Sequence, residues 1–178
     1  MKKLLCALLL VSSLVGCSKK EEPTPTSTSE VVIENNVDVV ATKADMSGYT
    51  RLTDADHRFI TIEFEDLLRI FEEKGTAIIY FGRVNCPFCQ RAVPVINEVA
   101  KELNIDVYSV NVDNAVFTMD MYYAIEPYIE KTFVESQGQK NFLIPELVSV
   151  KDGEVQQWHI SLVEDFVLDS DDKDVKEF

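Results

Sequence analysis

The sequence predicts an α/β fold in which a central mixed β-sheet is flanked by helices. Between His57 and Val110, strand-like apolar runs alternate with apolar residues at helical spacing. Near the end, Pro145–Val150 and Val155–Ile160 flank Lys151-Asp152-Gly153-Glu154, and an Asp-Gly turn between apolar runs marks an antiparallel hairpin. Strand–helix alternation followed by a hairpin requires a sheet that is not wholly parallel. The composition is globular, with 46% apolar and 27% charged residues. A net charge of −14 argues against nucleic acid, whose phosphates need clustered Lys and Arg.

Ahead of this domain lies a targeting pattern. Lys2 and Lys3 precede a twelve-residue stretch from Leu4 to Val15, apolar but for Ser12 and Ser13, too short to span a bilayer and correctly charged in front for a secretory signal. It ends Leu14-Val15-Gly16-Cys17, which resembles the lipobox of bacterial lipoproteins. The resemblance implies cleavage after residue 16, acylation of Cys17 and an extracytoplasmic protein held at the bacterial membrane; Cys6 then falls in the discarded segment. Loss of Lys2 and Lys3 with residues 1–16 takes the net charge from −14 to −16, so anionic lipid repels the body. Ser18–Glu30 is polar and without apolar periodicity, and reads with the following residues as a lipid-anchored flexible linker over 17–45. Val31–Ile33 and Val37–Val40 either add a strand or stay loose, and the compact domain is expected over 46–168.

Within it, His57–Thr61 reads as a short strand. Phe64, Leu67, Leu68 and Phe71 fall at i, i+3, i+4 and i+7, so Ile62–Lys74 is an amphipathic helix stopped by Gly75. Ala77–Phe81 is apolar throughout, the pattern of a central strand covered on both faces. A second helix follows Cys89, its apolar set being Cys89, Ala92, Val93, Ile96, Ala100 and Leu103, with Pro94 inside it. Ile105–Val110 is the next strand. Residues 114–144 form an insert carrying Met119, Met121, Tyr122, Tyr123, Tyr128 and Phe133, read as one or two added helices on the sheet or as a substrate-facing surface. From Glu164 the chain is acidic, with a short helix near 162–168 and a solvated tail over 169–178.

Cys86-Pro87-Phe88-Cys89 lies where the central strand gives way to the second helix. Residues at i and i+3 share a helix face, so the two sulfurs can join without unwinding it. The helix N-terminus offers unpaired N–H groups and the positive end of the dipole, which favour a thiolate at Cys86. Lowering a thiol pKa from about 8.5 to about 7 makes roughly half of it reactive at neutral pH. Cys86 is then the attacking thiol and Cys89 the resolving one. Two histidines, His57 and His159, lack zinc-site spacing and no second Cys-x-x-Cys exists, so neither a metal nor another cofactor is expected. Arg83 either tunes Cys86 or is simply solvated, and Tyr80 reads as a packed strand residue.

Cys86-Pro-Phe-Cys89-Gln-Arg-Ala-Val-Pro94 resembles the active-site helix of the thioredoxin superfamily, and Ile144-Pro145-Glu-Leu-Val-Ser-Val-Lys-Asp-Gly153 is similar to that family's cis-proline strand and hairpin. The resemblance spans about residues 57–168. It implies a thioredoxin-like fold, a redox disulfide between Cys86 and Cys89, and presentation of substrate backbone at Pro145 with Ile144 beside it. Its further implication is a thiol–disulfide oxidoreductase acting on cysteine-containing exported proteins or peptides, coupled to a membrane thiol redox partner. Gly82-Arg83 before Cys-Pro-Phe-Cys is similar to thioredoxin-like bacteriocin transport accessory proteins, which leaves a non-catalytic accessory role in peptide export as the alternative. Two departures stand out: Asn85 replaces the usual Trp, and Tyr80 occupies the position of the family's buried Asp.

Overall fold

The computed structural model describes residues 33 and 35–161. The signal segment, Cys17, the first part of the linker and the acidic tail lie outside them. A six-stranded sheet has the order β1-β2-β4-β3-β7-β8, built from β1 (Thr42–Lys43), β2 (Phe59–Thr61), β3 (Ala77–Gly82), β4 (Val107–Asn111), β7 (Glu146–Lys151) and β8 (Glu154–Ile160). β2 and β3 both run parallel to β4, whereas β1, β7 and β8 pair antiparallel to their neighbours. The sheet is mixed, as expected, with β3 central. A separate hairpin joins β5 (Val134–Ser136) to β6 (Gln139–Asn141).

Two cores cover the two faces of the sheet. Leu67, Ile70 and Phe71 of α1 (Phe64–Glu72) pack with Ile79, Phe81, Val148 and Val150 on one face. Cys89, Val93 and Ala100 of α2 (Pro87–Glu102) pack with Phe59, Tyr80 and Val107 on the other. Strand alternation thus sends Tyr80 and Phe81 to opposite cores, which is why β3 reads as apolar throughout. Helix α1 is charged to suit its dipole, with Glu65 and Asp66 in its first turn and Arg69 bridging Asp66 at 2.9 Å and Glu73 at 2.6 Å. It stops two residues earlier than expected, because Lys74 takes the left-handed turn at φ 60° and Gly75 closes the end with its N–H on the Ile70 carbonyl.

Two regions differ from the sequence reading. Residues from Asn35, assigned to the linker, already belong to the packed body. The Asn35 side-chain amide donates to the Tyr108 hydroxyl at 3.3 Å, Val37 and Ala44 are buried, and β1 pairs with β2. Beyond it, Met46 and Tyr49 join the α2-side core. Burial of single residues spaced among polar ones produces no period, so the segment looks loose in sequence. The insert, expected to be helical, holds one helix, α3 (Met119–Ile129), a 3₁₀ turn (Glu130–Thr132) and the β5–β6 hairpin. Ile125 and Ile129 of α3 enter the α1-side core. The hairpin turns at Gln137 and Gly138, both at positive φ.

Candidate active site

Helix α2 begins at a cysteine that serves as its N-cap. Cys86 adopts extended backbone angles (φ −99°, ψ 117°) as N-cap, and its Sγ accepts the Cys89 N–H at 3.2 Å. Pro87 follows at the first helical position, where a missing N–H costs nothing. Both cysteines are free thiols; Cys86 is 7% exposed and Cys89 fully buried. The Cys89 side chain donates to the Cys86 sulfur, the N–H groups of Cys89 and Phe88 add to it, and Arg83 contributes positive charge. Together they hold the Cys86 thiol below its ordinary range against the opposing effect of burial. For Cys89 the direction reverses, because its proton is held between the two sulfurs and burial disfavours a second thiolate. The surroundings thus favour a thiolate at Cys86 and a protonated thiol at Cys89.

The residues before Pro145 reach this place through the sheet register. Phe81 pairs with Glu146, so Pro145 lies beside the end of β3, from which the cysteine loop departs. The Ile144–Pro145 peptide bond is cis, and Ile144 packs against the cluster that contains both cysteines. The structure therefore gathers Cys86, Cys89 and the Ile144–Pro145 pair at one end of the sheet. Arg83 is half-buried, and its Nε is buried with no acceptor among the described residues.

Three neighbours were not singled out in the sequence as site residues. Gln90 is buried, and its side-chain amide donates to the carbonyls of Val84 at 2.6 Å and Gly48 at 2.9 Å, tying the cysteine loop to the N-terminal segment. A Cβ on Gly48 would stand 2.7 Å from Val84 Cγ1, so this approach needs glycine. Tyr80 lies wholly buried in the cysteine cluster; a Cβ on Gly82 would come within 2.1 Å of its Oη. That hydroxyl lies against Cys89 and Tyr49 without a well-aligned hydrogen bond, and burial drives its pKa far above the ordinary phenol value. Tyr49 is pushed up to about 12, chiefly by burial. Only Tyr80 carried a sequence signal, its place six residues before Cys86.

Residues 26–140, well over half the chain, match the family model described as TraF, F plasmid transfer operon protein. The chain belongs to the TraF family. Among solved structures this TraF-family chain is similar to the thioredoxin of Aeropyrum pernix, at 21% identity over 56% of this chain and 73% of that one, with a TM-score of 0.42. It is also similar to thioredoxin O2 of Arabidopsis thaliana in its oxidised state, at 18% identity over 62% and 88%, with a TM-score of 0.42. The fold of this TraF-family protein is thioredoxin-like in its own topology. A β2-β4-β3-β7-β8 sheet places a Cys-x-x-Cys helix start beside a cis-proline strand.

Proposed function

We propose that this protein is a membrane-anchored, extracytoplasmic thiol–disulfide oxidoreductase that acts through Cys86 and Cys89 on disulfides of exported proteins or peptides. The observation that carries the reading is the cap of α2. The Cys86 sulfur accepts the Cys89 N–H at 3.2 Å beside a half-buried arginine, with a protonated thiol one helical turn behind it. In the reducing direction the Cys86 thiolate attacks one sulfur of a substrate disulfide. The Cys86–substrate bond forms, the substrate S–S bond breaks, and one substrate thiolate leaves. Cys89 then gives up its proton and attacks the Cys86 sulfur, releasing the second substrate thiol. Two electrons have passed to the substrate and Cys86–Cys89 is a disulfide, which a dithiol partner at the membrane reduces. Oxidation of substrates is the same sequence reversed.

The purified protein is expected to reduce a disulfide-bonded protein substrate in the presence of a dithiol, and Cys86→Ser to be no faster than buffer. Equal rates for the two proteins would end the enzymatic reading. Equilibration of the couple with glutathione sets its direction: a potential near about −270 mV identifies a reductant, near about −120 mV an oxidant. For the anchor at Cys17, Cys17→Ala is expected to lose acyl labelling and leave the membrane fraction.

The TraF family match supports a second reading, an accessory module that holds an exported partner without turnover. Trapping separates the two. Cys89→Ser accumulates disulfide-linked partners through Cys86 if the protein is an oxidoreductase, and accumulates none if it only binds.

A further inference from the structure

We propose that the cavity between the cysteine loop and the insert is a side-chain pocket that selects peptides carrying a large apolar residue, an aromatic one above all, next to the reacting cysteine. The proposal rests on the oxidoreductase reading and supplies its substrate class. The cavity measures about 310 Å³ and is walled by Val112, Phe117, Met119, Tyr122, Phe142 and Ile144, with Arg83 at one side. Two of these residues join it to the chemistry. Arg83 sets its positive charge on the Cys86 sulfur, and Ile144 packs against the cluster containing both cysteines. Arg83, three residues before Cys86, and Ile144, beside Pro145, thus border both the cavity and the cysteine site.

Its walls are built in advance. Phe142 packs edge-on against Phe81 of the central strand at 5.6 Å, and Phe133 bridges Phe142 at 5.7 Å and Tyr122 at 6.2 Å. A preformed apolar cavity binds without the cost of ordering its own side chains. Its volume lies at the bottom of the range of ligand sites, roughly 300–1,000 Å³, which suits one large side chain rather than a folded partner. Arg83 Nε has no acceptor among the described residues, and a peptide backbone brings carbonyl oxygens to this side of the cavity. Exposed Val84, Phe88 and Leu143 extend the apolar surface on the cysteine loop and beside Ile144. The occupant is a cysteine-containing peptide, because Cys86 is only 7% exposed and an extended chain can bring a sulfur to it from the pocket mouth.

The test uses disulfide-linked homodimers of a short peptide that differ only in the residue beside cysteine, Phe, Leu or Ser. The wild-type protein is expected to favour Phe over Ser by about 10-fold or more in kcat/KM, the effect of burying one such side chain. Asn114→Trp fills the cavity, and Met119→Glu puts a charge at its edge; both positions are exposed, so both variants fold. In each the Phe-to-Ser ratio is expected to fall to near one. Binding is read separately, by fluorescence anisotropy of labelled peptides with Ser in place of Cys added to the Cys86→Ser protein. There Phe is again expected to bind about 10-fold tighter. Turnover of every peptide at one rate overturns the pocket and leaves the oxidoreductase standing. Preferential binding of Phe without turnover of any peptide overturns the oxidoreductase and leaves the pocket standing. A preference that survives both substitutions overturns the pocket, as does a dimer that Met119→Glu dissociates, which assigns the cavity to a second copy.

Discussion

A thiol becomes a nucleophile only where its surroundings stabilise the anion more than burial destabilises it. Cys86 meets that condition through a thiol, two N–H groups and the Arg83 charge acting together. Arg83→Gln removes the charge and leaves the cap in place, so the Cys86 thiolate becomes less favoured. In pH profiles of Cys86 alkylation, the wild-type midpoint is expected to lie below about 8.5, the value of a free thiol, and to rise in Arg83→Gln. An unmoved midpoint would show that Arg83 does not act on the sulfur. Beneath the pair, Tyr80 poses a different problem. With its pKa driven upward, it can donate a proton but cannot serve as an internal base for Cys89. It fits only because residue 82 has no side chain, since a Cβ there would stand 2.1 Å from the Tyr80 hydroxyl. Gly82→Ala is expected to cost roughly 1–3 kcal/mol or more through overpacking, and less when introduced on a Tyr80→Leu background. A double-mutant cycle in urea checks this; equal costs on the two backgrounds would mean that the close approach is not the cause.

At the scale of elements, the cysteine loop is held from the N-terminal side by Gln90, which sits one turn inside α2. Gln90→Leu leaves the carbonyls of Val84 and Gly48 without these donors and is expected to cost about 1–3 kcal/mol in urea unfolding. Hydrogen exchange is expected to quicken in the cysteine loop, whereas unchanged exchange there would show the loop to be held otherwise. No sequence pattern pointed to this tie, because a glutamine within a helix is ordinarily a surface residue and its two acceptors are backbone atoms far along the chain. The strands and helices that face a core over several turns were legible, since Phe64 to Phe71 and Ala77 to Phe81 repeat at the periods of their elements. The β5–β6 hairpin was not. Val134-Glu135-Ser136 and Gln139-Lys140-Asn141 are mostly exposed and carry no apolar alternation. β1 has two exposed residues and is held by backbone pairing with β2 and by the Lys43 ammonium, which donates to the His57 carbonyl. Of the candidate site, the cysteines and Pro145 could be read as local motifs. The pocket could not, because its walls come from the loop after β4, from α3 and from the approach to Pro145, and meet only in the fold.

Across the whole molecule, the two cores differ in what they tolerate, and Glu146 makes the α1-side face sensitive to pH. It follows Pro145, is 1% exposed, and its two carboxylate oxygens have no hydrogen-bond donor among the described residues. Burial raises its pKa to about 7, with Thr132 opposing, although the Thr132 hydroxyl already donates to the Ile129 carbonyl at 2.8 Å. An unfolded chain releases this proton near pH 4.5, the ordinary glutamate value, whereas the folded one keeps it to about 7. Between those values the native state binds the additional proton, so this residue makes stability fall as pH rises through the window and adds no further slope above it. The net charge of −14 also disfavours the compact state as carboxylates ionise, and a wild-type profile alone would mix the two effects. Glu146→Gln separates them, since it removes one buried ionisation and leaves the remaining acids in place. Thermal unfolding of the two proteins is expected to coincide at pH 4. At pH 8 the variant should be more stable by about 1–3 kcal/mol, the penalty of an unsatisfied buried group. A gap that is the same at both pH values would mean that Glu146 is paired in solution and that the pH response arises from surface charge alone.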